Sequence, residues 1–289
     1  MKLRDKVTLI STSILLLAAV SLVIFKSVSE NTDEILPAVN EITTVSTAPP
    51  VTVTTTTMTT AVTTTTPAET TAVTTLPRLV DGEDVNIYIE MENILQLPEL
   101  PTGCEITALA ILLNFYGFPA DKVDLADNHL PTSWGNPRYE DGKVFKDSFF
   151  EYFIGDPKSI GYGCFAPAIT KAAESYLGTQ ETDFTVKNIS GCDPDLLYSH
   201  LLIGTPVLCW ATDGMIEPEL HETWFDNETG EQLDWYYHEH AFVLVGLDTK
   251  NNTVTVNDPM KGIINYNKDK FELRFRQMYS QAIILTENA

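Results

Sequence analysis

The chain has 289 residues, 18 Lys and Arg against 40 Asp and Glu, and four cysteines, giving a formal net charge of −22. Such acidity argues against nucleic acid as a partner, because binders of that class draw most of their affinity from cations set against phosphates. Four dispersed cysteines exclude a small disulfide-stapled scaffold and form no closely spaced zinc-binding pair, while 44% apolar and 10% aromatic content is ample for a packed core.

An apolar run extends from Val7 to Phe25 behind Lys2, Arg4 and Lys6. About 19 residues at roughly 1.5 Å each nearly match a hydrocarbon core of about 30 Å. Residues 7–25 are therefore expected to form an uncleaved single-pass signal anchor, with a cleaved signal peptide as the alternative. The flanking basic residues place residues 1–6 in the cytoplasm and everything after Lys26 outside. On this reading the chain sits in the cell membrane with its main domain extracellular, or is secreted if the segment is removed. No Cys follows the run, so lipoprotein-type attachment is excluded.

Residues 27–77 contain no Lys or Arg, and between Thr43 and Thr75 about half the residues are Thr, mixed with Val, Ala and Pro. Such a segment cannot bury enough apolar surface to offset its ordering entropy, so a disordered stalk is expected. Residues 78–289 then form one domain of ordinary size, which carries 14 basic and 34 acidic residues, a net of −20.

Within the domain, Gln96-Leu-Pro-Glu-Leu-Pro-Thr-Gly-Cys-Glu105 leads into Ile106–Tyr116, which is apolar at nearly every helical angle, and then Gly117. The pattern predicts a helix enclosed on most sides, stopped by Gly117, with Cys104 in its first turn. Unpaired amides and the positive end of the helix dipole favour a thiolate there. The plain alternative is a small buried hydrophobe. Farther along, His238-Glu-His240-Ala-Phe-Val-Leu-Val-Gly-Leu-Asp248 and Thr253-Val-Thr-Val-Asn-Asp258-Pro flank a polar Lys-Asn-Asn loop and read as an antiparallel hairpin. Pairing outward from Lys250 brings His240 within about two residues of opposing Asp258, close enough for a carboxylate to orient an imidazole. His238 shares that face and is the register alternative. Pro259 ends the second strand, and Asp258 could equally be a turn-initiating Asp-Pro.

A thiol, an imidazole to take its proton and an acid to orient the imidazole suffice for acyl transfer. The developing oxyanion needs a donor, for which Gln96 and the Cys104 amide are candidates. The segment QLPELPTGCEITALAILLNFYG resembles the nucleophile segment of extracellular cysteine-peptidase family thirty-nine-like domains, relatives of bacteriocin leader peptidases with a papain-like fold. GDPKSIGYGCFAPAI, GTPVLCWAT, TWFDNETGEQLDW and HAFVLVGLD with VNDPMKG resemble that family too, in the expected order across residues 88–287. The resemblance implies an α+β fold with a central N-terminal helix packed on an antiparallel sheet. It also implies Cys104 as nucleophile, His240 as general base and acid, Asp258 as its orienting partner and Gln96 as oxyanion donor. Gln96 precedes Cys104 by eight residues, more than is usual in papain-like enzymes.

Cys209 reads as a buried strand residue, and Cys164 and Cys192 could pair in an oxidising exterior. His221, His238 and His240, with Glu222 or Asp258, could alternatively be read as metal ligands, but their spacing matches no zinc signature. No cofactor is expected. The Gly-rich run Gly155–Gly163 lacks the residues of a phosphate loop and is expected to be a surface loop lining a substrate cleft. The leading function is a cell-surface thiol hydrolase acting on a peptide or other amide, with cationic peptides favoured by the acidic domain. Two alternatives stand beside it: a catalytically silent module that binds peptide or wall material, and a wall amidase or transpeptidase of the same fold.

Overall fold

The computed structural model describes residues 76–80 and 82–288. The expected tail (1–6), anchor (7–25) and all but the last two residues of the stalk (27–77) lie outside the described residues. Among the described residues, no helix is long and apolar enough to cross a membrane.

The all-round apolar segment forms the expected helix, Cys104–Phe115, in which every residue from Cys104 to Leu113 is buried. Each of Ile106, Leu109, Ile111, Leu112 and Leu113 contributes roughly 1.5–3 kcal/mol by leaving water. Gly117, at a φ of 86°, ends the helix. Its N-terminus is crowded: a Cβ at Gly103 would lie 2.9 Å from Leu100 Cβ and 3.1 Å from Pro157 Cβ.

The helix packs on a seven-stranded antiparallel sheet, chiefly against the strand Glu239–Asp248. The order across the sheet is Gly262–Asn267, Thr253–Asp258, Glu239–Asp248, Val207–Thr212, Ala282–Glu287 and Phe184–Asn188, and Asn86–Tyr88 pairs with the far end of Glu239–Asp248. Alternating Val and Leu residues along the central strands are buried on both faces, which explains their nearly continuous apolar sequence. Cys209 is fully buried in one of them, as its surroundings in the sequence predicted.

The predicted hairpin forms, with Asp248 opposite Thr253 and Val243 opposite Asn257 after a bulge between Leu244 and Gly246. The strand ends at Asp258, immediately before Pro259. A smaller four-stranded sheet, Gln232–Tyr236, Leu220–Asp226, Lys143–Lys146 and Arg138–Glu140, and a three-stranded one, Thr132–Ser133, Phe153–Gly155 and Gly161–Gly163, complete the α+β architecture. Phe149 and Phe165 make edge or tilted contacts with Trp235, joining these parts through an aromatic cluster. The Gly-rich run is a β-hairpin rather than an irregular loop. All four cysteines are free thiols.

Candidate active site

The hairpin register carries His240 and Asp258 to the same end of the sheet. Extending the pairing of Val243 with Asn257 by one residue sets Asp258 opposite Phe242, and His240 lies two residues farther on the same face. The imidazole Nε2 and Asp258 Oδ1 are 2.9 Å apart, with both side chains buried. Oδ1 also accepts the Met260 N–H at 2.7 Å. Burial alone would push the Asp258 carboxyl up, but the His240 hydrogen bond and charge, the Met260 amide and Lys261 together hold it below the usual aspartate value. An ionised Asp258 selects the tautomer with the proton on Nε2, which leaves Nδ1 as a base.

The thiol sits one strand position away. Cys104 occupies the first turn of the central helix, with the backbone N–H of Ala241, the residue after His240, close enough to favour its ionised form. Gln96 is buried and joined to the same end of the sheet by its backbone N–H, which donates to Pro259 O at 2.8 Å. One hydrogen of its side-chain amide is given to Pro101 O at 3.1 Å. The second makes no hydrogen bond among the described residues, and Gln96 Oε1 is buried without a partner. A turn, in which Leu100 N–H donates to Gln96 O at 2.9 Å and Gly103 N–H to Leu100 O at 3.1 Å, takes up the eight-residue interval to Cys104. The four sequence candidates thus gather where the helix start meets the strand ends.

Three acids join them that sequence reasoning missed. Glu105 is fully buried, accepts the Cys164 N–H at 2.8 Å and receives the Cys104 thiol at 3.3 Å. Donor atoms of Cys104, Glu105 and Glu239 lie within 4.8 Å of one another, and so do those of Asp213, His240 and Asp258. Asp213 is paired with Lys261. The only signal for Glu105 was its place beside Cys104. Glu239 and Asp213 are brought in by tertiary packing.

This acidic setting corrects the electrostatics expected of the helix start. Burial, then Glu105 and Glu239, push the Cys104 thiol well above its ordinary value, outweighing the helix terminus and the Ala241 amide. Burial likewise raises the Glu105 carboxyl to about 7 and, with Glu105 beside it, raises Glu239 well above the usual range. The resting site is therefore a thiol. His221 stacks between Tyr162 and Tyr237, and the three histidines read as possible metal ligands do not converge among the described residues.

The helix-on-sheet arrangement defines a papain-like domain, the architecture of cysteine peptidases. The chain belongs to the Peptidase_C39 like family, whose model matches residues 83–283. It is 30% identical over 207 residues to "Uncharacterized protein YvpB" of Bacillus subtilis (strain 168), covering 70% of this chain and 74% of that protein. A crystal structure from Bacillus anthracis described as a "putative C39-like peptidase" is 29% identical with a TM-score of 0.61, over 72% of this chain and 99% of that one.

Proposed function

We propose that the domain is a thiol hydrolase that cleaves peptide or related amide bonds. The observation that carries this reading is the buried His240–Asp258 pair, 2.9 Å apart, beside the cysteine at the helix start. His240 Nδ1 takes the thiol proton as Cys104 Sγ attacks the carbonyl carbon, because the site holds a thiol at rest. The oxygen that gains charge is met by the second Gln96 N–H and the Cys104 amide. The imidazolium then gives its proton to the leaving amine as the C–N bond breaks. Water, deprotonated by the same imidazole, releases the acyl group and restores the thiol. Asp258 orients the ring throughout and stabilises its charged form.

The apolar run behind Lys2, Arg4 and Lys6 supports a membrane-anchored chain with this domain outside the cell. One observation favours a second reading, a silent binding module: Cys104 is only 7% exposed and has two carboxyls beside it. Labelling the full chain with iodoacetamide near neutral pH separates the two. The enzyme reading expects Cys104 to react fastest of the four thiols, at a rate that falls at least tenfold in His240→Ala. Uniformly slow labelling, unaffected by His240, contradicts it.

A further inference from the structure

Beside the thiol lies a cleft of about 380 Å³, whose lining includes Tyr162, His221, Trp235, Tyr237 and Glu239. Its walls are aromatic faces and edges. Tyr162 and His221 stack with centroids 5.5 Å apart, His221 and Tyr237 with centroids 4.1 Å apart, and Trp235 stands at 81° to Tyr162. Glu239 belongs to the lining, and one of its carboxylate oxygens lies within 4.8 Å of Cys104 Sγ.

The carboxyl there has one neutral neighbour, the Trp210 indole N–H, which also donates to Cys164 O at 2.9 Å. Glu239 Oε1 is buried and accepts no hydrogen bond. Neither Glu239 nor its neighbour Glu105 takes part in an ion pair among the described residues. The next acid along the wall differs: Glu222 is satisfied by Lys146 Nζ at 2.6 Å and Tyr162 OH at 2.7 Å. The two carboxyls are also held together by design of the backbone. A Cβ at Gly163 would lie 2.5 Å from Glu105 Oε1 and 2.9 Å from Glu239 Oε2 and would push the two carboxyls aside, while the φ of 128° itself favours glycine.

An aromatic cleft with an acid in its lining and no cation paired to that acid matches a long side chain with a cationic head. The stem lies along the rings and the head meets the acid. We propose that this cleft is the subsite for a lysine or arginine side chain of the peptide substrate, with its charge set against Glu239. The proposal rests on the reading of Cys104 as nucleophile, and it adds a consequence. A cation bound at Glu239 favours the ionised form of the groups around it, so occupancy of the subsite and loss of a proton from the Glu239, Glu105 and Cys104 cluster favour one another.

The test has two arms, both on the full chain. In the first, peptides that differ only in carrying lysine or norleucine are compared at each position around the cleaved bond. At one position lysine is expected to raise kcat/KM at least tenfold, and Glu239→Gln is expected to reduce that preference below about twofold. In the second, the Cys104→Ala chain is titrated with N-acetyl-lysine methylamide and N-acetyl-norleucine methylamide while Trp fluorescence is read. The lysine compound is expected to bind at least tenfold more tightly, and both Glu239→Gln and Tyr237→Ala, a half-exposed position that can be truncated without opening the core, are expected to weaken it. Equal binding of the two compounds, or lysine selectivity that survives Glu239→Gln, overturns the subsite. Lysine-selective binding with no peptide cleaved keeps the subsite and rejects the hydrolase.

Discussion

Asp258 and Glu105 are both completely buried within one site, yet Asp258 is held below its ordinary value and Glu105 is raised to about 7. Desolvation opposes ionisation at each. The balance differs: Asp258 faces His240, the Met260 amide and Lys261, which together overcome its burial, whereas the Cys164 amide, the Cys104 thiol and the His240 charge do not overcome that of Glu105. At Glu105 desolvation outweighs the donors around it, and at Asp258 the donors and the nearby cation outweigh desolvation. The two neighbourhoods divide the work of the proposed site. One keeps a permanent anion behind the imidazole, and the other keeps protons close to the nucleophile until a cation arrives.

Removing the imidazole breaks this contrast most severely. His240→Ala leaves Asp258 as a buried unpaired charge and removes the base, so kcat is expected to fall about 10²–10⁴-fold, and stability by about 3–5 kcal/mol. Single-turnover kinetics and urea unfolding read the two losses separately. Gln96→Ala acts on the transition state alone, with kcat expected to fall about 10²–10³-fold and KM to change little; a rise in KM without loss of kcat would assign Gln96 to binding instead.

The pH dependence of stability sharpens the comparison because the two acids have opposite signs. Glu105 has its carboxyl raised in the folded state, so its contribution is most favourable below the ordinary value of 4.5 and is lost as pH rises through about 7. Glu105→Gln should therefore gain stability relative to wild type between about pH 4.5 and 7, by up to about 3 kcal/mol. Asp258 has its carboxyl depressed, so its contribution is present above 3.8 and is lost as pH falls through its lowered value. The penalty of Asp258→Asn should accordingly persist across neutral pH and shrink only below that range. Denaturant titrations at several pH values check both, and parallel profiles for the two variants would show that the acids are not held differently.

The smallest change concerns the room between the carboxyls. Gly163→Ala combines a positive φ with the Glu105 and Glu239 contacts, and is expected to cost about 1–3 kcal/mol. In the Glu105→Gln/Glu239→Gln background a smaller cost would identify charge crowding as part of that strain. An unchanged cost would assign it to the backbone alone.

The sequence made some of these features plain and hid others for identifiable reasons. The central helix was legible because apolar residues at every angle demand enclosure, and the His240–Asp258 pair because strand alternation and Pro259 fix a hairpin register. Both signals are local. The protonation state of Cys104 was not legible, since a helix start argues for thiolate and only the packed site shows two carboxyls beside it. Glu239 illustrates the limit well: it lies between two histidines on the opposite strand face, yet that face borders the thiol and the cleft. The long interval between Gln96 and Cys104 is taken up by the turn through Leu100, which the sequence showed only as prolines.

The central claim is that Cys104 is the nucleophile of a hydrolase, and product analysis tests it most directly. The full chain and its Cys104→Ala variant are incubated with a peptide library and with wall fragments, and the products are followed by mass spectrometry alongside a melting curve for each protein. The account predicts new termini from discrete amide bonds with the wild-type chain and none with Cys104→Ala at matched stability. Equal turnover by the two proteins would contradict it.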